Sequence, residues 1–199
     1  MNTKTILLSL LILMAIMITA ALLFPQGLQS FLYRPSMYRH ILFVHIAAAT
    51  LFFANAVIGM VWEIRSLTTR KREIILHTYR TVSWLDARIS TVLIILSVIS
   101  GIMLSVLKGN MWEIGWLSLS LVLFLFSGVV WIASDIPTQY TLKKRLEQSD
   151  PQDPDLPEHV MNLLKLRLWI SLGGVIPLLV VFLLMVYKPD LRPVALWFQ

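Results

Sequence analysis

The chain has 199 residues, 57% hydrophobic and 14% charged, with a formal net charge of +6 and a mean hydropathy of +0.76. That composition excludes an ordinary soluble domain and points to a protein that crosses a membrane several times. Without cysteine there are no disulfides, iron–sulfur clusters or thiolate catalysis.

A hydrocarbon core of ~30 Å takes about 20 apolar residues per helix, and five segments reach that length: 5–24, 38–62, 84–107, 114–135 and 163–187. They predict an all-α polytopic bundle forming a single membrane domain, with a four-helix core and an N-terminal anchor helix. The first segment, TILLSLLILMAIMITAALLF, is too long for a signal-peptide core and shows no small-x-small cleavage site. It reads as a retained anchor. Residues 26–37, QGLQSFLYRPSM, carry enough Leu, Phe and Tyr to lie along the membrane interface without the periodicity of a clear helix.

In the second span, RHILFVHIAAATLFFANAVIG, His45 and Asn55 interrupt an otherwise apolar run. At 100° per residue, Ala49, Phe52, Ala56, Gly59 and Glu63 fall within about 40° of His45, with Ala48 and Asn55 flanking. Small side chains let helices approach closely, so this stripe should face protein and not lipid. The following segment, IRSLTTRKREIILHTYRTVS (64–83), has no Gly or Pro and is expected to continue its flanking helices past the membrane surface. By contrast, 138–162 contains EQSDPQDPDLPEH, whose prolines and acids predict a solvated linker. The fifth span holds Gly173, Gly174 and Pro177, where a kink is expected.

The basic residues are unevenly placed. Arg65, Arg70, Lys71, Arg72 and Arg80 fall between spans two and three, and Lys143, Lys144, Arg145, Lys165 and Arg167 between spans four and five. This bias puts 64–83 and 138–162 in the cytoplasm, with the N-terminus inside, as for a multi-pass protein of the bacterial inner (cytoplasmic) membrane. Trp62, Trp84, Trp131 and Trp169 at the inner ends, and Trp112 and Trp116 at an outer one, agree with that frame. Basicity here sets topology and attracts anionic lipid, so nucleic acid is not an implied partner.

An ionisable side chain inside a span marks a candidate site. His45 can be satisfied by an interhelical hydrogen bond to a serine such as Ser97, Ser105, Ser118 or Ser120. The sharper reading makes it an axial ligand of haem b, for which a histidine on a small-residue face is suited. His40 lies about 140° around the helix from His45, and His77 and His159 are on the cytoplasmic side, so bis-histidine ligation within one chain is disfavoured. Met103 and Met185 lie at comparable depth as candidate partners, with five-coordinate or dimer-shared iron also open. A second constellation, Glu63, Asp86, Arg88, Asp135 and Arg167, gathers at the inner ends. It reads as interfacial ion pairs that fix register, or as a proton or ion entry point carried by Asp86 and Asp135.

The blocks LVLFLFSGVVWIASDIPTQ (121–139) and RLWISLGGVIPLLVVFLLMVYKP (167–189), with the His45 span and SWLDARISTVLIILSVISG (83–101), resemble an uncharacterised bacterial family of predicted integral membrane proteins. The resemblance covers 38–189 and rests on Trp131, Pro137, Trp169, Pro177, Lys188 and Pro189 as a pattern. A more distant similarity is to the membrane-bound haem-b protoporphyrinogen oxidases, whose early span carries an axial histidine amid small residues. That role would fall on His45, while the partner lysine has no counterpart in this chain. The leading expectation is a haem-binding or redox-associated membrane protein. The alternatives are a non-enzymatic subunit that stabilises a larger membrane complex or a homo-oligomer, and a small transporter.

Overall fold

Pro35 opens the longest helix of the computed structural model, whose described residues are 12, 15, 16, 19–21, 23–33, 35–109, 111–131, 137, 138, 141, 142, 144, 145 and 156–197. Every regular element with defined bounds among them is helical: α1 (Pro25–Leu32), α2 (Pro35–Thr69), α3 (Arg72–Leu85), a π-helical turn (Asp86–Ser90), α4 (Thr91–Lys108), α5 (Gly115–Val130), α6 (Glu158–Tyr187) and a 3₁₀ turn (Val194–Leu196). Three helical stretches, Met37–Thr69, Arg72–Lys108 and Glu158–Tyr187, are long and apolar enough to cross a membrane, and Gly115–Val130 is apolar but shorter. Large side chains such as Phe43, Leu51, Ile58, Leu125 and Val129 stand exposed along these helices. Hydrocarbon accommodates such a surface and water does not. The expected first span lies largely outside the described residues, and the expected fourth is described only to Trp131.

The chain divides into two compact units, Met1–Asn55 with Leu85–Ser118 and Asp190–Gln199, and Ala56–Trp84 with Leu119–Pro189. In the first, α1 is a helix where the sequence shows no clear period. Pro25 sits in its first turn, where the fixed φ of proline favours initiation, and Leu32 is fully buried as α1 packs on α4. The π turn widens the helix between α3 and α4. Thr91 closes it, donating both its N–H and its hydroxyl (2.9 Å) to the Asp86 carbonyl. The C-terminal tail folds onto the first turn of α5, where Val194 N–H donates to buried Ser118 Oγ at 3.2 Å. A Cβ on Gly115 would collide with the Leu191 carbonyl, so glycine is what lets the tail lie there.

In the second unit the 64–83 segment is a helical hairpin. The chain turns at Arg70 and Lys71, with Arg70 in the left-handed region at φ 55°. One face of α3 buries Arg72, Ile75, Tyr79 and Val82, at the spacing of an amphipathic helix. Ile75 and Tyr79 join Leu142, Val160 and Leu164 in a core to which Leu67, Leu156 and Met161 add. Of the solvated linker expected over 147–159, residues 147–155 lie outside the described residues, and the structure differs at its end. Helix α6 already begins at Glu158, because Leu156, Val160 and Leu164 have an apolar partner in α3. Pro177 lies inside α6 without ending it; the Gly173 carbonyl loses one N–H donor while the rest of the ladder continues.

Candidate functional site

His45 projects from the face of α2 whose least exposed positions in its own unit include Ile41 and Ala48. Spacings of three and four residues keep these side chains on one stripe, and α4 packs against it. The His45 Nδ1 lies 2.8 Å from the Ser97 carbonyl oxygen and 3.3 Å from Ser100 Oγ. A carbonyl oxygen only accepts, so the group facing Ser97 is the imidazole Nδ1–H, while Ser100 Oγ donates to the Leu96 carbonyl at 2.6 Å. A neutral ring with its proton on Nδ1 carries its lone pair on Nε2. The ring lies across Gly101, where a Cβ would stand 3.0 Å from His45 Cε1 and 3.3 Å from Nδ1.

The interhelical bond expected from His45 to a serine is therefore present, made to the backbone carbonyl of Ser97 with the Ser100 hydroxyl beside it. Ser105 and Ser118 hydroxyls donate to the Ile102 and Gly115 carbonyls of their own helices. Gly101 itself was legible as the second small residue of the Ser97-x-x-x-Gly101 pattern, which marks close helix approach. Met103 follows Gly101 by two positions, about 160° away around α4 from the surface His45 covers. Met185 lies on α6, in the other unit.

Of the five residues expected together at the inner ends, Glu63 and Arg167 fall in one compact unit and Asp86 and Arg88 in the other. Glu63 and Arg167 form a salt bridge of 2.9 Å between Oε1 and Nη1, with both side chains 3% exposed. The Arg167 guanidinium stands 4.9 Å from the centroid of the Tyr79 ring, a cation–π distance. Asp86 belongs to a different group in the other unit. Asn55 Nδ2 donates to Ser90 Oγ at 2.7 Å, and Ser90 Oγ donates to Asp86 Oδ1 at 3.2 Å. This accounts for Asn55 in an apolar run: it reaches the π turn, which brings Ser90 and Asp86 to one side. A π turn has no clear sequence signature, so Asn55 could be flagged but not assigned a partner. Arg88 is exposed, and Asp135 lies outside the described residues. Among the described residues no three His, Cys, Asp or Glu side chains are grouped to hold a metal ion.

A family model described as predicted integral membrane protein (DUF2269) matches residues 39–189. No curated protein matches the chain. No solved structure matches it.

Proposed function

The chain belongs to the family of predicted integral membrane proteins designated DUF2269, and on that footing we propose that it is a multi-pass protein of the bacterial inner membrane that binds haem b through His45 Nε2. The observation that carries this reading is the bond from Nδ1–H to the Ser97 carbonyl. Metal-binding imidazoles are commonly held in this way, since the hydrogen bond fixes the tautomer, orients the ring and raises the basicity of the other nitrogen. One residue near this helix contact, His45, is suited to hold such a group. His45 would hold the group through Nε2, while Met103 stands on another side of α4. When bound, haem b supplies one-electron chemistry. What the protein contributes is the oriented nitrogen, a close-packed helix pair around it, and exclusion of water by the lipid-facing surface.

The test is the visible spectrum of the full-length protein purified in detergent from haem-supplemented cells, oxidised and dithionite-reduced. A Soret band near one haem per chain that is lost in His45→Ala supports the proposal, and a colourless wild-type protein overturns it.

A second reading has its own observation, the fit of the imidazole onto Gly101. A ring that occupies a glycine notch and bonds a carbonyl locks two helices, as a non-enzymatic subunit of a membrane complex would need. Under this reading His45→Ala loosens the fold without removing any chromophore, and the chain co-purifies with other membrane subunits in mild detergent. The proposed topology has five spans with a cytoplasmic N-terminus.

A further inference from the structure

Beside the α2–α3 hairpin lies a groove of about 420 Å³, within the size range of small-molecule sites. Its rim carries Trp62 at the end of the apolar run of α2, and Arg65 less than one helical turn further on. The α3 wall supplies Ile74, His77, Thr78 and Thr81. Arg65 and His77 are both exposed, and Thr78 and Thr81 are half-buried. Among the described residues no acidic side chain lines the groove, whereas a larger one of about 710 Å³ that includes Arg70 and Lys165 also contains Glu158.

This combination has a chemistry. Arg65 presents a planar fork of N–H donors suited to phosphate oxygens, His77 offers a ring nitrogen, and the two threonines offer hydroxyls. Trp62 gives an apolar wall on the side where the span begins, while Ile74 lies toward the hairpin turn. Tryptophan settles at headgroup depth, and basic pockets between helices at that depth hold phospholipid headgroups. We propose that this groove binds the phosphate of an anionic phospholipid, with the headgroup between Arg65 and His77 and the glycerol end against Trp62. The site is independent of His45.

Native mass spectrometry of the full-length, delipidated protein in detergent tests this, with phosphatidylglycerol and phosphatidylcholine titrated separately. The wild type should retain phosphatidylglycerol more strongly than phosphatidylcholine. Arg65→Gln should reduce that retention about fivefold, the effect of one basic residue near an anionic surface, and Arg65→Gln with His77→Gln should abolish the preference. Arg70→Gln, outside this groove, should leave it unchanged. Because Arg65 and His77 are exposed, these variants should keep the wild-type circular dichroism and elution. Equal retention of both lipids by the wild type, or a preference that survives the double substitution, overturns the proposal. Displacement of phosphatidylglycerol by millimolar inorganic phosphate overturns the lipid assignment in favour of a free phosphate.

Discussion

Two side-chain environments set what single substitutions should do. At Gly101 a Cβ would press on His45 Cε1 at 3.0 Å, and a valine adds two further carbons. Gly101→Val should therefore lower stability by roughly 1–3 kcal/mol, the usual cost of overpacking. In His45→Ala the obstacle is gone, so the same change should cost clearly less. Thermal unfolding of the four proteins in one detergent measures this coupling, and equal costs in both backgrounds would show that the ring does not lie on Gly101. The Glu63–Arg167 pair makes a different demand. Glu63→Gln removes a negative charge from beside a buried guanidinium and should cost about 3–5 kcal/mol. Replacing both partners by apolar residues of similar volume should cost much less. Such an asymmetry would identify the pair as a register device, and a mild effect of Glu63→Gln would argue against it.

Among the elements, the C-terminal tail is held by two marks on α5, the missing Cβ of Gly115 and the Ser118 hydroxyl. Gly115→Ala should dislodge residues 190–197 and raise their amide hydrogen exchange, while exchange in α6 stays at its wild-type level. Unchanged exchange in the tail would remove this role from Gly115. How far elements were legible depended on what specifies them. Long apolar runs made α2, α4 and α6 readable, and the absence of Gly and Pro over 64–83 correctly foretold a helical hairpin. The short helix α1 was not readable, because eight residues carry too little periodicity and its stability comes from Leu32 packing on α4. The early start of α6 was hidden for a similar reason. Leu156 and Val160 stand among prolines and acids, and only their contact with Ile75 and Tyr79 makes them core. The histidine stripe was legible from helical periodicity, but the partners of Asn55 depended on the π turn, a tertiary outcome without a local code.

For the molecule as a whole, the proposed topology of five spans with the basic segments inside takes its orientation from the charge bias and the tryptophans. Reporter fusions should give cytoplasmic signals near residues 70 and 150 and periplasmic signals near residue 110 and the C-terminus. Reversal at any of these points would contradict the topology. Composition and span length made the membrane class plain, and the family match over 39–189 agrees with it. For function the sequence singles out one histidine as a candidate and shows no complete catalytic set. The structure adds the orientation of that histidine, with Nδ1 held at the Ser97 carbonyl. The most direct test of the central claim is a haemin titration of the purified apoprotein and of His45→Ala, followed at the Soret band. Saturation near one haem per chain in the wild type, with no saturable band in the variant, is the predicted result. The same titration curve for both proteins, or no saturable band in the wild type, would contradict ligation by His45.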